Sequence, residues 1–144
     1  MLLELINDFN LDYKFDKKII YNLILKIAKI EDKICKSINL IFSTDHYLNN
    51  LKVQYFNQNY YTDVIAFNLE NKDELIDGEI YISMDRVIYN ANKFGCSLDN
   101  ELKRIIIHGV LHLMGYEDIK KNEKSVMTNL ENQYISLDSR PVII

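Results

Sequence analysis

The 144-residue chain lacks tryptophan, has one proline and two cysteines, and carries no surplus of positive charge. Cys35 and Cys96 form no CxxC pair, which excludes a thiolate zinc knuckle. Two separate thiols fit a reducing cytosol, where we expect them to be small core residues. No stretch is rich in proline, glycine and serine, and no segment repeats, so residues 1–144 are predicted to form one domain.

The chain has neither an excess of basic residues over acidic ones nor a long run of apolar residues. The formal net charge is −4, whereas a protein that binds nucleic acid through its overall field is normally basic. Any nucleic-acid partner must therefore be held by a local groove or by a metal. The first residues, MLLELINDFN, lack the basic segment of a signal peptide, and no apolar run approaches the roughly 20 residues that span a bilayer. We expect a cytoplasmic protein without a membrane partner.

The spacing of apolar residues predicts an α+β or mixed α/β fold, in which helices pack on one sheet. Alternating or β-rich runs predict strands at 2–6, 37–42, 64–69 and 79–83. Helical spacing and capping residues predict helices after Asp16, after Thr44, at 85–94, from Ser97 to about Met114 and at 120–135. The last helix is expected to present one apolar face made of Val126, Leu130 and Tyr134.

His108 and His112 are four residues apart in a predicted helix, so their rings lie on one face, one turn apart. Gly115 follows, and a glycine there can adopt the left-handed conformation that ends a helix and lets the chain reverse. Asp118 can then return toward the two imidazoles, which completes the pattern HxxxHxxGxxD. Two nitrogens and one carboxylate oxygen suit a single Zn²⁺ ion and leave a fourth position open for water.

An HxxxH pair also occurs as two solvent-facing histidines, and two observations argue against that alternative. The chain has only three histidines, and two of them fall in this register. The helix around them is apolar on nearly all sides, which indicates a buried helix, and buried imidazoles need polar partners. The third histidine, His46, is expected to be a surface residue in the first turn of a helix.

Three segments together resemble one known family. The run HGVLHLMGYED at 108–118 resembles the signature HGxLHLxGYDH of the YbeY family of metal-dependent endoribonucleases. The run YTDVIAF at 61–67 resembles the family's PTDVLSF, and GEIYIS at 78–83 resembles its strand GDIxIS. Glu101 matches an acidic residue before the signature. The resemblance extends over most of the chain, from about the second strand onward.

The resemblance implies an α+β, zincin-like domain with one mixed sheet of about four strands and a zinc site on a central helix. It implies a single-strand-specific endoribonuclease that acts in 3′-end maturation of small-subunit ribosomal RNA and in ribosome quality control. The implied partners are single-stranded or ribosomal RNA and the small ribosomal subunit, and no DNA partner is expected. Thr62 and Asp63 become candidate substrate-binding residues. Glu117, Glu101 and Asp63 become candidate acid–base groups, each with a structural alternative as a solvated or capping carboxylate.

Two positions depart from the family pattern. Asp118 stands where the family has a third histidine, and a carboxylate is a competent zinc ligand whose charge should make a bound water less acidic. Phe56 stands where the family usually has an arginine, and its ring cannot bind phosphate as a guanidinium does. The ring could stack on a base, or it could be an ordinary core or surface aromatic.

Two other functions are compatible with these residues. A metallopeptidase of the zincin type shares the HxxxH helix, but its general-base glutamate would occupy the position of Gly109. A non-catalytic ribosome-associated protein that keeps the metal is favoured by the acidic balance and by Phe56. The endoribonuclease is the main prediction, because the three matching segments support it together.

Overall fold

The computed structural model describes residues 1–69 and 75–144, in which five helices and four strands are found. In chain order the elements are β1 (Leu2–Asn7), α1 (Lys17–Ile30), β2 (Ile34–Ser43), α2 (Asp45–Phe56), β3 (Val64–Asn68), β4 (Leu75–Ser83), α3 (Met84–Phe94), α4 (Leu98–Leu113) and α5 (Lys121–Ile135). Within these two ranges, no helix combines the length and apolar character needed to span a bilayer.

The four strands form one mixed sheet in the order β1-β2-β4-β3. β1, β2 and β4 run parallel, while β3 is antiparallel to β4 at one edge. α1 connects β1 to β2, because two parallel strands need a crossover connection. The predicted arrangement of helices on one mixed sheet of about four strands is therefore confirmed.

Capping residues set the helix boundaries as their types predicted. Asp16, Thr44 and Ser97 each accept a hydrogen bond from the backbone N–H three residues later. Gly95 ends α3 in the left-handed conformation, with φ of 67°. The start of the last strand was predicted less well, because β4 begins at Leu75 rather than at residue 79.

Two glycines allow α4 to pack closely on the sheet. A Cβ added at Gly78 in β4 would lie 2.6 Å from the carbonyl oxygen of Phe67 and 2.8 Å from Cδ2 of Leu113. A Cβ added at Gly109 in α4 would lie 2.7 Å from Cγ2 of Ile80. Larger residues at either position would push the helix away from β3 and β4. Because glycine has no side chain, Gly78 and Gly109 allow α4 to lie this close to the sheet.

α4 also packs against α3 and α5, and its apolar residues are buried on nearly every side, as predicted. The buried apolar side chains are Leu102, Ile105, Ile106, Ile107, Val110, Leu111 and Leu113. His108 and His112 are only partly buried. The open part of α4 is therefore the stripe that carries the imidazoles.

The predicted apolar face of α5 is wrong at Val126, whose side chain is 47% exposed. Tyr134 is buried as predicted and Leu130 is partly buried, while Met127 and Glu131 are buried although they were not predicted to be. The prediction missed this register because a carboxylate is not expected on a surface that faces the core. Glu131 is tolerated there because it has charged and hydrogen-bonding partners on α4.

Candidate metal centre

The predicted ligands come from α4 and from the loop that follows it. His108 and His112 occupy successive turns near the C-terminal end of α4, with ring centroids 4.5 Å apart. Gly115 follows with φ of 100°, the left-handed conformation predicted for it. The N–H of Tyr116 donates to the carbonyl oxygen of Leu111 and holds the reversal of the chain. The loop then brings Asp118 back to both imidazoles.

Three ligand atoms converge at this point. Nε2 of His108 and Nε2 of His112 are 2.9 Å apart. The carboxylate oxygens of Asp118 lie 3.2 Å from Nε2 of His108 and 3.6 Å from Nε2 of His112. One atom from each of the three residues lies within 4.8 Å of the other two. A cluster of this size and composition fits a single metal ion.

Hydrogen bonds on the far side of each ring determine which nitrogen faces the cluster. Nδ1 of His112 lies 2.9 Å from the carbonyl oxygen of Tyr116, and Nδ1 of His108 lies 2.6 Å from Oε2 of Glu131. Both partners are acceptors, so each Nδ1 carries the proton and each Nε2 presents a lone pair. Two lone pairs and the carboxylate of Asp118 repel one another at these distances unless a proton or a metal cation lies among them. The donor set therefore fits a bound metal.

Glu131 connects α5 to the site and is buried. Its second oxygen, Oε1, lies 3.2 Å from Nη1 of Arg104, whose Nη2 donates to Oδ1 of Asn132 at 2.9 Å. Arg104 thus fixes the carboxylate that orients His108. Neither Arg104 nor Glu131 was predicted from the sequence to belong to the site. The one available signal was the position of Arg104 four residues before His108, which puts it on the same helical face.

The pKa values of the two imidazoles shift in opposite directions. Burial lowers the pKa of His108, but the hydrogen bond and charge of Glu131, together with Asp63 and Asp118, outweigh it and raise the pKa above its ordinary value. For His112, burial and the adjacent positive charge of His108 exceed the attraction of Asp118, so the pKa is lowered. His108 therefore binds a proton more readily than His112 does.

Tyr116 ties the ligand-bearing loop to the end of α1. Its hydroxyl donates to Oε1 of Glu31 at 2.6 Å, while its carbonyl accepts from His112. Tyr134 of α5 donates to the other oxygen of the same carboxylate. The hydrogen bond to Glu31, and then burial, raise the pKa of Tyr116 to about 12. One carboxylate at the end of α1 therefore holds both the loop and α5.

A cavity of about 570 Å³, which we call the metal cavity, lies beside His108 and Asp118. Two of the predicted acid–base candidates, Asp63 and Glu101, line it. Burial raises the pKa of Asp63, although the positive charge of His108 opposes this effect. Burial and the neighbouring charge of Asp63 raise the pKa of Glu101. Both carboxyl groups therefore retain a proton to higher pH than an ordinary carboxyl group does.

The other candidates from the sequence lie elsewhere. Glu117 is exposed and is not among the residues that line this cavity. Thr62 lines a second cavity of about 410 Å³, and Asp63 lines both cavities. The structure thus brings Asp63 and Glu101 to the metal cavity and leaves Glu117 outside it.

Phe56 and His46 lie on α2. Phe56 is 42% exposed and stacks on Phe67, with ring centroids 5.9 Å apart, and Nζ of Lys52 lies 4.9 Å from the centre of its ring. Phe56 is therefore a surface aromatic with a cationic neighbour. His46 is exposed in the first turn of α2, as predicted.

The helix position that a zincin peptidase uses for its general base faces the sheet in this protein. A Cβ at Gly109 would lie 2.7 Å from Cγ2 of Ile80 and 3.2 Å from Cγ2 of Val64. Gly109 is not among the residues that line the metal cavity. A glutamate at this position would collide with β3 and β4, so the local packing argues against the peptidase alternative.

Comparisons with known proteins identify relatives of the chain. A family model described as Endoribonuclease YbeY matches residues 6–137. The Endoribonuclease YbeY of Karelsulcia muelleri is 47% identical over 109 residues, which make up 76% of this chain and 77% of that protein. The Endoribonuclease YbeY of Christiangramia forsetii is 38% identical over 131 residues, 91% of this chain and 89% of that protein. A solution structure of a Thermotoga maritima protein matches with a TM-score of 0.60 and 26% identity, over 93% of this chain and 87% of that chain.

Proposed function

Because the chain belongs to the YbeY family of metal-dependent endoribonucleases, we propose that it cleaves single-stranded RNA at one metal ion held by His108, His112 and Asp118. Family membership makes the chain a hydrolytic nuclease with an RNA substrate. The ion we propose is Zn²⁺, since two imidazoles and one carboxylate are typical zinc ligands and leave one coordination position open.

The observation that carries the proposal is the approach of three lone-pair-bearing atoms to within 4.8 Å of one another. The far sides of both rings donate to Glu131 and to the carbonyl of Tyr116, so both Nε2 atoms can present lone pairs to one cation. A zinc ion in such a site supplies Lewis-acid polarisation of a phosphate oxygen and acidifies a coordinated water.

The side chains of the cavity supply proton transfer in this proposal. Cleavage of a phosphodiester needs a group that takes a proton from the attacking water or 2′-hydroxyl and a group that gives one to the departing oxygen. Asp63 and Glu101 line the cavity and have raised pKa values, so one carboxyl can hold the proton that the departing oxygen receives while the other accepts one. Glu117 is a weaker candidate, because it is exposed outside the cavity. Thr62 and Asp63 would contact the RNA at the edge of the site.

The biological setting that we propose follows from the family resemblance. We propose a role in 3′-end maturation of small-subunit ribosomal RNA and in ribosome quality control, with the small ribosomal subunit as partner and the cytoplasm as location. We also propose that residues 1–144 form one zincin-like domain in which α4 is the central, metal-bearing helix. The burial of α4 against the sheet, α3 and α5 supports this description of the fold.

The test compares purified protein stripped with a chelator with the same protein reloaded with one equivalent of Zn²⁺. Each is incubated with an end-labelled single-stranded RNA, with the same RNA annealed to its complement, and with casein. We expect zinc-dependent cleavage of the single strand alone, and its loss in His112→Ala. Full-rate cleavage by stripped protein would contradict the metal mechanism. Casein cleavage would support a peptidase, and RNA binding without cleavage would support a non-catalytic metal protein.

A further inference from the structure

An aromatic and cationic surface adjoins the metal cavity. We call it the α3 surface and define it by Tyr61, Arg86, Tyr89, Lys93 and Phe94. Its three rings are largely exposed, at 57% for Tyr61, 51% for Tyr89 and 65% for Phe94. Exposed apolar groups that lie together on one surface are typical of interaction sites, and these three rings could stack on a ligand with flat faces.

Each ring of the α3 surface has a cation beside it. The guanidinium of Arg86 lies 5.5 Å from the ring centre of Tyr61 and 4.5 Å from that of Tyr89. Nζ of Lys93 lies 5.7 Å from the ring centre of Phe94. Nε of Arg86 is held by both carboxylate oxygens of Asp45, at 3.1 and 3.2 Å, which orients the guanidinium between the two tyrosines. The surface therefore offers rings and positive charge together.

The α3 surface and the metal cavity are neighbours that share lining residues. The second cavity, of about 410 Å³, is lined by every member of the α3 surface except Phe94, and Phe94 lines the metal cavity instead. Asp63 and Asn90 line both cavities. A single strand that lies in the metal cavity can therefore continue past Asp63 and Asn90 onto the α3 surface.

We propose that the α3 surface is a subsite for single-stranded RNA, in which bases next to the cleaved bond stack on Tyr61 and Tyr89 while Arg86 and Lys93 contact phosphates. This inference rests on the proposed function of the metal centre. Stacking on rings combined with local positive charge is how proteins hold single strands without reading their sequence. The net charge of −4 makes such a local concentration necessary.

The chemistry of the surface favours RNA over a protein partner. An apolar segment of another protein would have to displace water from Lys93 in order to reach the rings, and burying this cation against an apolar partner is costly. A nucleotide presents a flat base to the ring and a negative phosphate to the neighbouring cation, so it satisfies both groups at once.

The first experiment measures binding of a labelled, cleavage-resistant 2′-O-methyl phosphorothioate oligouridylate to the zinc-loaded protein by fluorescence anisotropy. Tyr61→Ala and Tyr89→Ala are each expected to weaken binding by about fivefold or more, because each removes one stacking platform. Tyr89→Phe keeps the ring and is expected to bind like the wild type. Tyr47→Ala is the matched control, since Tyr47 is 46% exposed on α2 and lines neither cavity.

The second experiment measures the salt dependence of the same binding. Lys93→Ala should reduce the slope of log affinity against log salt concentration by about 0.7, the contribution of one phosphate contact in a single strand. Lys18→Ala is the control, because Lys18 is exposed in the first turn of α1 and lines neither cavity. Thermal melting of every variant checks that a change in RNA binding does not come from loss of the folded structure.

The outcomes separate this inference from the proposed function. If Tyr61→Ala, Tyr89→Ala and Lys93→Ala bind RNA like the wild type while the wild type still cleaves single strands, the inference is overturned and the proposed function stands. If the same variants keep RNA affinity but lose association with ribosomal proteins, the surface belongs to a protein partner and the inference is overturned. If zinc-loaded wild type neither binds nor cleaves RNA, both proposals fail.

Discussion

The carboxylate of Glu131 and Nδ1 of His108 lie 2.6 Å apart, across the contact between α5 and α4. An acceptor at Nδ1 keeps the proton on that side of the ring and directs the Nε2 lone pair toward His112 and Asp118. Arg104 holds the other oxygen of Glu131, so the carboxylate is itself fixed. The orientation of His108, one of the three proposed ligands, therefore depends on a residue 23 positions later in the chain.

Glu131→Gln is expected to weaken zinc binding by about 10- to 100-fold, while the three ligands stay in place. The neutral amide is a weaker acceptor than a carboxylate, and its NH₂ group can turn toward Nδ1 and disfavour the tautomer that binds the metal. Competition with a chromogenic chelator measures the affinity. Glu4→Gln is the control, because Glu4 is an exposed glutamate in β1. Equal affinities for wild type and Glu131→Gln would show that Glu131 has only a packing role.

Asp118→Ala is expected to lose most of the bound zinc, whereas Asp118→His is expected to retain it. The alanine variant keeps only the two imidazoles, and two ligands rarely hold zinc firmly. Histidine is a normal zinc ligand and would restore a third donor at the same loop position. Metal analysis of the purified variants after dialysis gives the stoichiometry. Full zinc occupancy in Asp118→Ala would sink the assignment of Asp118 as a ligand.

Gly109→Ala is expected to lower the free energy of unfolding by about 1–3 kcal/mol, despite the higher helix propensity of alanine. The added Cβ would lie 2.7 Å from Cγ2 of Ile80 unless α4 moves away from the sheet. Urea unfolding measures the loss. In an Ile80→Ala background the same substitution should cost less, because the colliding methyl group is gone. An equal cost in both backgrounds would mean that the close contact is not the cause.

Tyr116→Phe is expected to reduce the loss of stability at alkaline pH. The pKa of Tyr116 in the folded protein is about 12, above the ordinary value of about 10, so the folded state keeps the hydroxyl proton that the unfolded state releases. The contribution of the Tyr116 hydroxyl to the free energy of unfolding is therefore fully present below about pH 10 and disappears as the pH rises toward about 12.

Urea unfolding at about pH 8 and about pH 11 tests this sign for Tyr116. The phenylalanine variant should be less stable than wild type by about 1–2 kcal/mol at the lower pH, because it lacks a hydrogen bond to the charged Glu31. The difference between the two proteins should shrink at the higher pH. Tyr55→Phe, at an exposed tyrosine of α2, should show no such convergence. A constant difference at both pH values would refute the linkage.

Local sequence determined the parts of the site that one helix and one turn can specify. The four-residue spacing of His108 and His112 puts both rings on one face of any helix that contains them. Gly115 supplies a conformation that other residues adopt with strain, so the end of α4 was readable before its surroundings were known. Ser97, Thr44 and Asp16 were readable as caps for a similar reason, because each bond spans only three residues.

Only the tertiary structure decided which distant residues surround those ligands. Asp63 precedes β3 and Glu101 lies in the first turn of α4, and they line one cavity because α4 packs on β3 and β4. Glu131 was hidden in the sequence, because a buried carboxylate breaks the apolar pattern by which a helix face is recognised. Local spacing carries no information about the packing of α5 on α4. That packing depends on side-chain contacts along both helices. It brings Glu131 against His108 and leaves Val126 exposed.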